Sequence, residues 1–216
     1  MKIQILISKN SWANKYSSVL TKKLRRYSKN ILIVDNHRKI RKNYDINIIF
    51  SYFKVINKKF LDRSKYNLIP HESDLPKGKG MSPLSWQLLK KKNKIVFSLI
   101  EAGEKIDAGK IYFKKKVYFK NDLVFNEIKA IQFNQNLNLI EKFISYYKRN
   151  KTSPKSKLQI GKSTYYRLRT KQDSKLNVNK SLKSQFNLLR LCDFENYPSF
   201  FYMHKKKYLI KMIKTK

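Results

Sequence analysis

Five short runs rich in Ile, Val and Phe recur along the first half of the chain: 2–7 (KIQILI), 30–35 (NILIVD), 46–53 (INIIFSYF), 66–71 (YNLIPH) and 94–102 (KIVFSLIEA). Most are nearly continuous in apolar residues, so they need cover on two faces, and helix-like segments at 12–27 and 82–91 fall between them. Such alternation specifies an α/β architecture, a mostly parallel sheet with helices on both faces. Residues 110–119 (KIYFKKKVYF) read as an edge strand whose lysines oppose aberrant pairing. From Phe125 onward, Ile128, Ile131, Leu139, Ile140, Phe143, Ile144 and Tyr147 fall mostly at helical spacing, which predicts a long helix lying across the sheet.

Residues 149–160 (RNKTSPKSKLQI) are polar, contain Pro154 and lack periodicity. They divide the chain into a main domain, 1–150, a linker at 151–160 and a small α+β extension, 161–216. The extension has a helix near 180–192, with Leu182, Phe186 and Leu189 on one face, and a hairpin in SFFYMHKKKYLIKM. It is too small to bury a core alone and is expected to dock on the main domain. No stretch of eighteen apolar residues occurs, so no membrane span is expected. Cys192 is the single cysteine and excludes an internal disulfide, which makes a reducing cytoplasm the expected location.

The formal charge is +36, from 50 basic residues against 14 acidic. A charge of that size attracts polyanions at low salt, so nucleic acid must be considered. The lysines are nevertheless spread along the whole chain and form no RNA-recognition, KH or zinc-knuckle pattern. A codon bias that also enriches Asn, Ile, Tyr and Phe accounts for part of them. Charge alone does not assign a function.

The window HESDLPKGKGMSP, residues 71–83, concentrates glycine and proline in a chain that has only five of each. A second loop, EAGEKIDAGK at 101–110, holds Gly103 and Gly109. Ligands of parallel α/β sheets bind beyond the carboxyl ends of strands, and glycine serves where backbone approaches a ligand or adopts positive φ. Two such loops at neighbouring strand ends would bring His71 and Asp107 within reach, a pairing suited to orienting the imidazole and stabilising its protonated form. An isolated strand-end His is more often structural, and Asp before Ala-Gly is a common turn. Glu72 and Asp74 beside one His lack an established metal spacing, and no P-loop, dinucleotide glycine motif, nucleophile elbow or Cys/His cluster is present; no metal is expected.

These residues resemble the folate-dependent formyltransferases, whose pattern runs Asn-x-His-x-Ser-x-Leu-Pro, then a glycine-bearing loop, Pro-x-x-Trp and later Asp-x-Gly. His71, Ser73, Leu75, Pro76, Gly80, Pro83, Trp86, Asp107 and Gly109 match in order, and the resemblance covers roughly residues 1–150. It departs at Ile69, where the family carries an Asn; Asn67, one repeat earlier on the same strand face, is displaced by about 6 to 7 Å. YYRLRTKQDSKL and QFNLLRLCDFENYPSFF resemble the short extension of the sugar N-formyltransferases, with Arg167, Arg169, Asp173, Ser174, Arg190, Tyr197 and Pro198 fitting it. The resemblance implies a Rossmann-like formyltransferase fold and transfer of a formyl group from 10-formyltetrahydrofolate to the primary amine of a nucleotide-linked amino sugar. It implies His71 and Asp107 as catalytic, Ser73 and Asn67 as supporting, and Phe50, Ser51, Tyr52, Phe53 and Gly103 as folate-binding. Lys77 and Lys79 are candidates for the substrate phosphates. The alternatives are methionyl-tRNA formyltransferase, whose longer C-terminal barrel domain the 56 residues of the extension hardly accommodate, and an inactive formyltransferase fold that binds polyanions. A homodimer is left open.

Overall fold

The computed structural model describes residues 1–215. In chain order the strands are β1 (Lys2–Leu6), β2 (Asn30–Val34), β3 (Tyr44–Ile49), β4 (Ser64–His71), β5 (Lys79–Gly80), β6 (Lys94–Glu101), β7 (Ile111–Tyr118), β8 (Tyr165–Tyr166), β9 (Ser199–Met203) and β10 (Lys206–Ile210). The α-helices are α1 (Ser17–Leu24), α2 (Lys58–Leu61), α3 (Pro83–Leu89), α4 (Phe125–Asn150) and α5 (Leu182–Arg190). Six strands form one sheet in the order β2-β1-β3-β4-β6-β7. The first four are mutually parallel, whereas β6 runs antiparallel to β4 and β7 antiparallel to β6.

Both faces are covered. On one, Ile3, Ile5, Ile46, Ile48, Leu68 and Phe97 pack with α1, α3 and α4; on the other, Leu6, Val34 and Ile49 pack with Ile40, Ile56 and α2. The helix α4 begins where the Glu127 carboxylate accepts a hydrogen bond from the Val124 N–H at 2.8 Å, satisfying a donor that the first turn leaves free. It then lays Ile128, Phe133, Leu137, Ile140 and Phe143 against the sheet. The stretch 151–160 runs beside the sheet edge, exchanging backbone hydrogen bonds between Lys157 and Ile111. Beyond it, β8 pairs with β5. Arg190 is fully buried on α5 and donates to the Lys120 and Leu123 carbonyls, while Leu191 joins the main core.

The antiparallel β6 matters for the site. Its register sets Glu101 opposite Leu68 and Ser98 opposite His71, so β6 ends level with the middle of β4, three residues back from His71. Glu101 fastens this junction: its carboxylate accepts the Asn67 backbone N–H at 2.6 Å and the Tyr112 hydroxyl at 2.8 Å. Burial outweighs those bonds and pushes the Glu101 carboxyl up to about 7, from an ordinary 4.5. Between those values the folded chain holds a proton that the unfolded chain has lost, so stability falls as pH rises through this window, by about 1 to 3 kcal/mol. Glu101→Gln keeps the acceptor and removes the titration. Melting temperatures at pH 5 and pH 8 should therefore differ less in the variant than in the wild type.

Candidate active site

β1 is flanked by β2 and β3, so the chain reverses direction of winding between β1 and β3. Crevices form at such switch points. Here a cleft of about 1190 Å³, counting its solvent-open mouth, is lined from the segments after β1, β3 and β4 and by the loop 102–107.

His71 lies at the end of β4 with its side chain only 6% exposed. Its Nε2–H donates to the Gly78 carbonyl at 2.8 Å, which fixes the ring and leaves Nδ1 facing Asp107. Nδ1 and Asp107 Oδ2 are 3.6 Å apart, an ion-pair separation too long for a hydrogen bond. The Asp107 carboxylate is itself set by the Gly80 N–H, which donates to Oδ2 at 2.8 Å. The loop therefore orients both groups: one carbonyl holds the imidazole and one N–H holds the carboxylate. The expectation that Asp107 would orient His71 needs this revision.

The two loops do not lie at one end of neighbouring strands, as the sequence reading supposed. Because β6 is antiparallel, residues 102–109 fold back along β4 for about 10 Å, three residues at the strand rise, to carry Asp107 to His71. Asp107 takes a left-handed conformation, φ 48°, which Asp tolerates better than most residues. Gln159 secures the same loop, donating from Nε2 to the carbonyls of Asp107 and Gly109 at 2.7 and 2.8 Å. Sequence reasoning assigned this residue to a linker; its role follows from a long-range contact that no local pattern carries.

The other expected site residues divide. Phe50, Ser51, Tyr52, Phe53 and Gly103 all line the cleft. Phe50 is also core, against Trp12 and Phe133, and the Tyr52 hydroxyl accepts from the His37 N–H and bonds His37 Nδ1 at 2.7 Å. Ser73 is buried with no partner for its hydroxyl, behind the lining. Asn67 is not part of the lining: it sits directly across from Asn47, accepts from that amide at 3.0 Å, and donates to the Leu61 carbonyl at 3.0 Å. Neither Lys77 nor Lys79 reaches the cleft. Lys77 is exposed, and Lys79 is buried with its ammonium 6.0 Å from the centre of the Tyr165 ring, a consequence of the β5–β8 pairing. The cations that do line it are Lys54, Lys105 and Lys129.

Lys129 belongs to a set the sequence reading missed. With Gln132 and Asn136 it repeats at i, i+3 and i+7 along α4, continuing the buried stripe with polar residues, and that interruption was the legible signal. Its ammonium donates to Gln132 Oε1 at 2.8 Å and lies 4.5 Å from the centre of the Trp12 ring. Burial pulls it down to about 8, with the charge of Glu72 opposing. Glu72 in turn accepts from Asn136 Nδ2 at 2.7 Å.

The extension docks on α3: Trp86 Nε1–H donates to the Arg167 carbonyl at 2.7 Å, and the Arg167 guanidinium stacks 4.8 Å from the Trp86 ring. Arg167 also makes a bidentate pair with Asp173. Arg167, braced by Asp173, thus clamps the tail to α3, beside the loop that orients His71.

A mostly parallel, doubly covered sheet with a His and Asp facing each other in its switch-point crevice defines a Rossmann-like α/β protein with a candidate active cleft. The chain belongs to the formyl transferase family, whose model matches residues 5–132. Members of this family are folate-dependent and take the formyl group from a formyl-tetrahydrofolate. Methionyl-tRNA formyltransferase of Thermodesulfovibrio yellowstonii is 29% identical over 180 residues, which are 80% of this chain and 55% of that one. The chain spans about half the length of the first curated relatives it matches. The methionyl-tRNA formyltransferase from Clostridium thermocellum superposes with a TM-score of 0.80 at 20% identity, covering 100% of this chain and 94% of that one. A sugar N-formyltransferase from a Shewanella species does so at 0.68 and 17% identity, covering 99% and 100%. At these identities the superpositions establish the fold.

The family position two residues before the His is Ile69. It packs with Leu75, Ile100 and Ile111 on one side and joins the apolar cluster of Ile49, Ile56 and Leu61 on the other. An amide here would meet an apolar wall. Ile69→Asn should lower stability by about 1 to 3 kcal/mol and leave kcat unraised. A higher kcat with an unchanged melting temperature would mean that the site merely lacks a donor.

Proposed function

We propose that the chain transfers a formyl group from 10-formyltetrahydrofolate to the primary amine of a nucleotide-linked amino sugar. The observation that carries this reading is the His71–Asp107 pair set between two unlike flanks of one cleft. Toward α2 the lining is apolar, with Ile49, Ile56, Leu61 and Ile69, and suits a flat donor ring. Toward α4 it is polar and charged, with Glu72, Lys129, Gln132 and Asn136. A methionyl thioether would leave such groups without partners, whereas a sugar would engage them.

In this mechanism the neutral amine attacks the formyl carbon, a C–N bond forms and the carbonyl electrons move to oxygen. Protonated His71 stabilises that oxyanion through Nδ1–H, and Asp107 balances the imidazolium charge. Asp107 also takes the proton lost by the amine, directly or through water, and collapse breaks the bond to N10, where that proton ends on the departing tetrahydrofolate. Ile69 supplies no hydrogen bond, so His71 carries more of the stabilisation than it would beside an Asn.

Incubation with 10-formyltetrahydrofolate and a panel of dTDP- and UDP-linked amino sugars, read by mass spectrometry, should reveal gain of one formyl group on at least one sugar. A second reading, methionyl-tRNA as acceptor, is favoured by the names of the curated relatives and by the charge of +36. Formylation of charged initiator tRNA, with binding that discriminates against bulk RNA near physiological salt, would establish it instead.

A further inference from the structure

The α4 flank of the cleft is a built polar site. Glu72, Gln132, Asn136 and Lys129 are each more than nine-tenths buried, at 7%, 5%, 2% and 9% exposure, and all four line the cleft with Trp12. Their mutual bonds use only part of their capacity. Lys129 Nζ makes one hydrogen bond, to Gln132 Oε1, and Gln132 Nε2 makes none among the described residues. Glu72 accepts one bond at Oε1, and Asn136 Oδ1 is buried without a partner among the described residues. Asn136 Oδ1 costs free energy unless something supplies its partner, and the other groups line the cleft with hydrogen-bonding capacity to spare. Free donors and free acceptors stand side by side, and the charges of Lys129 and Glu72 cancel.

That balance selects the ligand's chemistry. A phosphate or carboxylate would face the Glu72 carboxylate and the Asn136 carbonyl. A hydrocarbon would leave every one of these groups unpaired. Hydroxyls donate and accept at once, and a ring that carries several of them presents C–H groups to an aromatic face. Glu72 lines the same cleft as His71 and Asp107, so a ring held here shares that cleft with the reactive pair.

We infer that Glu72, Lys129, Gln132 and Asn136, backed by Trp12, form the subsite for the hydroxylated ring of the acceptor and so determine which amino sugar is formylated. This rests on the amino-sugar reading above. The donor then occupies the opposite, apolar flank.

The test uses the panel of dTDP- and UDP-linked amino sugars with two variants, Gln132→Leu and the charge-balanced double variant Glu72→Gln with Lys129→Met. The acceptor KM should rise about 10-fold or more in each, corresponding to a lost hydrogen bond to a charged or polar group. The Kd for 5-formyltetrahydrofolate, measured by titration calorimetry, should stay within about twofold, and thermal unfolding should confirm that both variants are folded. If Gln132→Leu does not fold, Gln132→Glu, which keeps the shape and removes the donor, replaces it. An unchanged acceptor KM in a wild type that formylates a sugar overturns the subsite alone. Weakened 5-formyltetrahydrofolate binding with an unchanged acceptor KM also overturns it and gives the polar flank to the donor. A wild type inert toward the whole panel overturns the amino-sugar reading and the subsite with it.

Discussion

His71→Gln and Asp107→Asn should each reduce turnover by about 10²-fold or more, within the range general acid–base groups supply, while the melting temperature changes little. These substitutions isolate chemistry from structure. Gln can keep an N–H for the Gly78 carbonyl that His71 Nε2 now serves, and Asn keeps an oxygen for the Gly80 N–H. Asn also tolerates the left-handed backbone at position 107, φ 48°. What each removes is a titratable group facing its partner at 3.6 Å. If the two act as a unit, the double variant should be about as slow as the slower single one, since a donor and the carboxylate that balances its charge in one step are not additive. Near-normal turnover in His71→Gln would remove the proposed mechanism, and multiplicative losses would mean the two act separately.

How much of this was legible in the sequence differs by feature. The apolar runs gave the strands and their double cover, because burial is written into composition at each position. Strand direction was not legible: 94–102 is as apolar as 30–35, yet β6 runs antiparallel to its neighbour β4 while β2 runs parallel to β1. His71 and Asp107 were found through scarce glycines and an ordered motif, but the route by which they meet, a loop folding back along β4, depends on that unread direction. Asn67 was placed by strand periodicity, which identifies a face and says nothing of what stands opposite; Asn47 lies in register across from it and takes its amide. Lys77 and Lys79 were placed by their loop, and the orientation of Lys79 was decided by residues 165–166, more than eighty positions away. The polar set on α4 is visible as a break in the helix stripe, but polar residues on a long helix are ordinarily solvated, so the break does not by itself mark a site.

The folded-back loop makes its sharpest demand at Gly109. A Cβ there would lie 1.7 Å from the Glu101 carbonyl oxygen and 2.8 Å from its carbon, both backbone atoms that cannot swing aside. Gly103, in the same loop, has nothing within 4 Å of the corresponding position. The two glycines are alike in sequence and opposite in consequence. Gly109→Ala should destabilise the protein by about 3 kcal/mol or more, at or beyond the usual cost of overpacking because backbone must move. Gly103→Ala should stay within about 0.5 kcal/mol. At this chain length the first corresponds to a fall in melting temperature of roughly 6 to 12 °C. Function should follow stability in a particular way. Any accommodation at Gly109 shifts the segment whose carbonyl Gln159 holds and moves Asp107 relative to His71. Turnover of the still-folded fraction should therefore fall too, measured well below the melting temperature, because a misplacement on the order of 1 Å at a reacting group costs about 10²-fold. A Gly109→Ala protein as stable as Gly103→Ala would refute the path assigned to residues 102–109, and with it the explanation of how Asp107 reaches the cleft.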